Sequence, residues 1–191
     1  GLSVGTRQDC MRSDVMALLC ELNKRTHLTV ELGVQTVHDA TADSFGRGYS
    51  FTEFETAYQQ LQENGIRTCL HIINGLPGER TEDMVETARV LGNLHPQAVK
   101  IQLLHILAGT RYAELWHAGD IREMTREDYI ATVVRQLEYF PAETVIERLT
   151  GDGEKSALLA PLWSMDKIRT LGGIDKRLAE LDTWQGRKWH E

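Results

Sequence analysis

No continuous apolar run in this 191-residue sequence approaches the length needed to cross a membrane, so no transmembrane helix is expected. Positive charge is also in short supply. With 28 acidic residues against 21 Lys and Arg, the net charge is −7, which argues against a broad nucleic-acid-binding surface while leaving room for a local basic patch. Gly1 to Arg7 lack the basic region and longer apolar region of a signal peptide, and a cytoplasmic protein is the default expectation. Cysteines number only three, Cys10, Cys20 and Cys69. They are odd in number and widely spaced, which fits reduced thiols better than a disulfide framework, and none lies two to four residues from another as in a metal motif. They are expected as packing residues, Cys20 on the apolar stripe of a helix and Cys69 inside an apolar strand. A serine in a nucleophile-elbow sequence is missing, as are a dinucleotide-binding fingerprint and a phosphate loop.

What is present is a core of 41% hydrophobic residues in a chain the size of one domain. Leu2-Ser3-Val4 reads as a strand end running into a Gly-Thr-Arg turn. Ser13 can cap a helix with Val15, Leu18, Leu19 and Leu22 inward, and a strand from Leu28 to Gln35 follows. Thr52 and Glu55 have capping-box spacing for a helix carrying Phe54, Tyr58 and Leu61, ahead of a strand over Ile66 to Ile73. Thr81 opens the next helix, and Ala98 to His105 is the strand after it. This β-α-β-α-β-α-β order calls for a parallel sheet, either open or curled as a barrel. Beyond it the pattern predicts helices near Tyr112 to His117 and from Thr125 to Tyr139, a strand-like Thr144 to Leu149, a Gly151-Asp152-Gly153 turn, and a helix from about Met165 to Leu181 interrupted at Gly172-Gly173.

The Leu28 to Gln35 strand has two unlike faces. Leu28, Val30, Leu32 and Val34 share one, while Thr29, Glu31, Gly33 and Gln35 share the other. A strand covered on both sides normally reads as an apolar run, so a carboxylate and an amide on one face must be paired, hydrated or bonded to a ligand. Other polar groups cluster at strand ends: Thr6 and Arg7, His71 with Asn74-Gly75, then Gln102 and His105. Parallel α/β folds bind ligands there, although each group could instead be satisfied by local turns. Arg47, in Gly46-Arg47-Gly48-Tyr49, could clamp a carboxylate or phosphate, or be a solvated loop arginine. Asn74 to Glu79 is a tight connection whose glycines allow close backbone approach. His71, His105 and Glu31 raise a mixed-ligand metal site that the sequence alone does not bring together. Trp163, Trp184 and Trp189 read as core or interface anchors.

Gly5-Thr6-Arg7-Gln8-Asp9, Glu31-Leu32-Gly33-Val34-Gln35-Thr36, Arg47-Gly48-Tyr49, His71 to Glu79 and Leu103 to Thr110 together resemble, in order and spacing, the later part of a radical S-adenosylmethionine (radical SAM) enzyme. Within that superfamily the pattern is similar to the YhcC-like group, near the elongator-catalytic-subunit branch. Arg148 to Asp152, Ala160 to Ser164 and Asp182 to Gly186 match its C-terminal signature. Two departures stand out: Gln8 replaces a proline, and Tyr49 stands where a histidine often follows Arg-Gly.

The resemblance implies a parallel-stranded partial barrel of six βα units, with its last four in residues 1–118 and a family-specific α-rich extension in 119–191. It also implies S-adenosylmethionine and a [4Fe-4S] cluster, cleavage to a 5′-deoxyadenosyl radical, and an unknown substrate. The cluster's three-cysteine motif is absent here, so the chain is expected to be an inactive C-terminal portion, with a CxxxCxxC motif upstream. By resemblance, Gln35 and Arg47 would contact the ribose and carboxylate ends of the cofactor, with Glu31 helping to form the polar wall. His71 and the Gly75 turn would border it, and the backbone around Leu107 to Thr110 would approach adenine. Relatives that modify transfer RNA bring in RNA as a partner class, to which the acidic charge gives no independent support. Two other readings remain open: a non-radical α/β-barrel lyase or isomerase using Glu31, His71 and Arg47, and a binding or assembly module that self-associates through an open sheet edge.

Overall fold

Strand and helix alternate from the first residues of the computed structural model, which describes residues 1–151 and 153–190. Asp152, on which the expected Gly151-Asp152-Gly153 turn and the end of the Arg148 to Asp152 motif rest, lies outside them. The elements are β1 (Leu2–Thr6), α1 (Ser13–Arg25), β2 (Leu28–Gln35), α2 (Asp39–Ser44), α3 (Phe51–Glu63), β3 (Arg67–Asn74), α4 (Thr81–Gly92) and β4 (Ala98–Leu103). They are followed by β5 (Ile106–Leu107), α5 (Arg111–Ala118), α6 (Arg126–Leu137), β6 (Val145–Arg148), β7 (Leu158–Ala160) and α7 (Lys167–Glu180). Five strands form one parallel sheet in the order β1-β2-β3-β4-β6, and β5 pairs antiparallel with β7 beside it.

The apolar face of β2 does what its pattern demands. Leu28, Val30, Leu32 and Val34 are at most 1% exposed and join Leu70, Ile72, Val99 and Ile101 against Phe54, Tyr58 and Leu61 of α3, Leu91 of α4 and Tyr129 of α6. Each large side chain so removed from water contributes about 1.5–3 kcal/mol. Helices thus cover one face of the curved sheet, and the polar residues of the strands line the other. This is the α/β partial barrel expected of the radical SAM fold. Strand β6, contributed by the C-terminal third, pairs with β4, and α6 packs between α4 and α7.

Local chemistry moved several boundaries. The capping box is Ser50 with Glu53, not Thr52 with Glu55. Extended backbone at Ser50 lets its hydroxyl accept from Glu53 N–H at 3.2 Å while Glu53 accepts from Ser50 N–H at 2.7 Å, so Thr52 already lies inside α3. Arg80 rather than Thr81 is the cap residue of α4, its N–H donating to Asp83 at 2.9 Å. The strand expected to reach His105 stops at Leu103, where Leu104 N–H turns to the Asn74 carbonyl at 2.8 Å. Helix α7 runs unbroken through Gly172-Gly173; a Cβ at Gly173 would meet the end of the Ile130 side chain of α6, which would have to shift.

Candidate functional site

Side chains of the uncovered sheet face interlock across four strands. Glu31 accepts from Ser3 Oγ at 2.6 Å and from Lys100 Nζ at 2.5 Å, and His71 Nε2 lies 2.8 Å from its Oε2. Glu31 stands opposite Gly5 and Cys69 in the register, so Ser3 and His71 are its diagonal neighbours two residues along β1 and β3, and Lys100 pairs with His71 one strand further. The bond to Lys100, then that to Ser3, pulls the Glu31 carboxyl down to about 2 from its ordinary 4.5. Burial, then the Lys100 charge, lowers His71, which favours the neutral imidazole. Gln102 Nε2 lies 3.2 Å from His71 Nδ1; donation there leaves the ring proton on Nε2, the nitrogen nearest Glu31 but without an aligned hydrogen bond to it. Below this layer Arg67 bonds Thr29 at 3.0 Å and Glu147 at 3.0 Å. Lys100 and Glu147 went unnoticed in the sequence, although Lys100 between Val99 and Ile101 carried the same alternation signal as Glu31.

Gln35, at the carboxyl end of β2, has a backbone unlike its neighbours. Its φ is +58°, and Thr36 N–H donates to the Val34 carbonyl at 2.7 Å, closing a three-residue turn where the register with β3 slips. The turn sends the Gln35 side chain back over Gly33, where any Cβ would collide with Gln35 Nε2. Gln35 Oε1 is buried and has no hydrogen-bond partner among the described residues. A buried amide oxygen left this way costs about 1–3 kcal/mol unless a water or a ligand donates to it.

Arg47 lies behind this turn. It is 3% exposed, and its donors reach the carbonyls of Tyr49 at 2.9 Å, Val34 at 3.0 Å and Thr36 at 2.6 Å, plus Asp39 Oδ1 at 2.6 Å. Four of the roughly five N–H groups of a guanidinium are therefore engaged. Tyr49 packs its ring 5.0 Å from the Arg47 guanidinium and donates to the Gly33 carbonyl at 2.5 Å. Thr36 donates to Glu79 of the Asn74 to Glu79 connection at 2.5 Å, and burial raises the Glu79 carboxyl.

The structure thus brings Glu31 and His71 into one network and puts Gln35 on the same face. The other expected residues stand apart from it. Gly75, at φ +84°, begins the turn after β3, its N–H 3.2 Å from Met84 Sδ. The Leu107 carbonyl accepts from Thr110 Oγ1 at 2.8 Å. Thr110 lines a separate cleft of about 580 Å³ with Phe45, Gly46, Pro77, Tyr112 and Leu115, above the strand ends. Cys69 lies on the polar sheet face, Sγ 3.5 Å from Glu147, and burial pushes its thiol up to about 12. Cys20 faces Asn64 and Cys10 is exposed. No group of three His, Cys, Asp or Glu among the described residues could hold a metal ion. None of the described helices is long and apolar enough to cross a membrane.

A parallel sheet with one helix-packed face and polar groups on the other accords with what sequence comparison finds: residues 2–91 match the Radical SAM superfamily and residues 96–180 the Radical SAM C-terminal domain. The chain belongs to the radical SAM superfamily. Its relatives place it in the YhcC-like group, on the elongator-like branch. Protein YtqA of Bacillus subtilis is 42% identical over 98% of this chain and 58% of its own length. Protein YhcC of Escherichia coli K12 is 33% identical over 94% of this chain and 59% of its own. The chain therefore spans somewhat under three-fifths of these relatives. Among solved structures, the Elp3 of Methanocaldococcus infernus superimposes with a TM-score of 0.79 over 97% of this chain and 43% of that one, at 21% identity, a likeness of fold.

Proposed function

We propose that this chain forms the cofactor-facing wall of a radical SAM enzyme, with Gln35 as its main contact to S-adenosylmethionine. The observation that carries the reading is the buried, partnerless Gln35 Oε1, held over Gly33 at the carboxyl end of a central strand. That oxygen suits a hydroxyl donor, which the ribose of S-adenosylmethionine presents. Glu31, His71 and Lys100 form a fixed polar floor beside it, with Glu31 held ionised and His71 favoured neutral. Gly75, Leu107 and Thr110 stand apart from this network and, by family resemblance, would reach the cofactor from the turns that follow β3 and β5. S-adenosylmethionine, when bound, supplies the means of abstracting a hydrogen atom from a substrate.

An iron–sulfur cluster does not fit the residues of this chain. Its three thiols are separated, and Cys69 faces Glu147 rather than another cysteine. In this proposal the cluster ligands belong to sequence outside the chain. Its relatives also include a tRNA uridine(34) acetyltransferase of Methanocaldococcus infernus, 26% identical over 79% of the chain, which supports RNA as a substrate class to test. The decisive test uses protein extended to the length of its relatives and reconstituted anaerobically with iron and sulfide. A cluster absorption band and consumption of S-adenosylmethionine are expected; a folded protein showing neither would overturn the reading.

A further inference from the structure

We propose that Arg47 is a positioning residue, acting on the cofactor through Gln35 rather than by touching it. The inference rests on the reading above that Gln35 faces S-adenosylmethionine. Its physical basis is the turn itself. A positive φ at a non-glycine residue is strained, and such a conformation persists only where its surroundings hold it. The turn leaves the carbonyls of Val34 and Thr36, on either side of Gln35, within reach of a single guanidinium nitrogen: Arg47 Nη1 donates to both, at 3.0 and 2.6 Å. Nε fixes the loop's own Tyr49 carbonyl, and Nη2 is held by Asp39, which also accepts from Phe51 N–H at 2.8 Å at the start of α3.

The guanidinium thus ties the end of β2 to the starts of α2 and α3, four acceptors in a planar fork that a lysine's point charge cannot reproduce. Burial at 3% exposure and the single N–H left over give it little to offer a ligand directly. From the other side Tyr49 holds the Gly33 carbonyl and Glu79 holds Thr36. The consequence is a Gln35 amide whose direction is set before any ligand arrives, with Gly33 supplying the space it crosses.

The test uses the full chain, with Arg47→Lys, Gln35→Ala and the double variant, each first shown to unfold cooperatively. Two probes are titrated: S-adenosylmethionine, and 5′-methylthioadenosine, which lacks the carboxylate. Arg47→Lys should weaken both by the same factor, about tenfold for one misdirected hydrogen bond. The double variant should bind no more weakly than Gln35→Ala alone. In 15N NMR spectra, the Gln35 side-chain amide should move toward a solvent-averaged position in Arg47→Lys without ligand. If Arg47→Lys does not fold, Asp39→Asn, which removes one partner of the guanidinium, should give a smaller loss, again equal for the two probes. Loss for S-adenosylmethionine alone would assign Arg47 to the carboxylate and overturn the inference, as would an unmoved Gln35 amide. Absence of binding by the unmutated chain would instead overturn the cofactor reading, and the NMR result would still decide whether Arg47 sets the turn.

Discussion

Replacing Glu31 with Gln keeps the shape of the side chain and removes its charge from a network in which Ser3, Lys100 and His71 all face it. The drop of its carboxyl from 4.5 to about 2 corresponds to about 3 kcal/mol of folding stability. Water in the open trough screens this to about 1–2 kcal/mol. Because the value is depressed in the folded state, the contribution is complete above pH 4.5 and is lost as pH falls toward 2, about half of it gone near pH 3. Glu31→Gln should therefore cost about 1–2 kcal/mol at pH 7 and clearly less at pH 3.5. Urea unfolding followed by tryptophan fluorescence reads this, since Trp163 packs 5.6 Å from Tyr129 in the core. Lys100→Met should cost less in the Glu31→Gln background than alone, because each removes the same bond. A penalty that is unchanged between the two pH values, or two strictly additive variants, would refute the assignment of the depressed carboxyl to the Lys100 and Ser3 bonds.

Gln136→Leu should cost about 2–4 kcal/mol in urea unfolding, since Asn74 and Gln136 exchange two buried hydrogen bonds of 2.8 Å and Gln136 also donates to the Met84 carbonyl; a cost under about 0.5 kcal/mol would contradict this pairing. Thiol titration with an aromatic disulfide at pH 8 should label Cys10 quickly and Cys69 only on unfolding, because the Cys69 thiol is buried and raised to about 12; rapid labelling of Cys69 in folded protein would be inconsistent with that burial. Gly33→Ala should displace the Gln35 amide and weaken S-adenosylmethionine binding about tenfold, one hydrogen bond's worth. Unchanged affinity would show that the amide does not need its path over Gly33.

The two-faced β2 strand was legible in the sequence because side-chain alternation is a local property, and the apolar set Leu28, Val30, Leu32 and Val34 is buried as that pattern requires. The order of strands and helices followed for the same reason. What the sequence did not disclose depends on distant partners. Glu31 is bonded by a lysine 69 residues away, and nothing near either residue signals the other. Arg47 in a glycine-flanked loop read as either a clamp or a solvated arginine, yet the backbone turn at Gln35 offers it carbonyls that no side-chain pattern encodes. The short α2 helix and the β5 to β7 pairing escaped notice because six-residue and two-residue elements are too brief for periodicity to mark.

Equilibrium binding of S-adenosylmethionine to the full chain and to its Gln35→Ala variant bears most directly on the wall formed by β2. The unmutated chain should bind, and Gln35→Ala should bind about tenfold more weakly at a thermal midpoint no lower than that of the unmutated chain, since a bound ligand would supply a donor that no described residue gives Gln35 Oε1. Equal affinity in the two proteins would contradict the assignment of Gln35 as the cofactor contact.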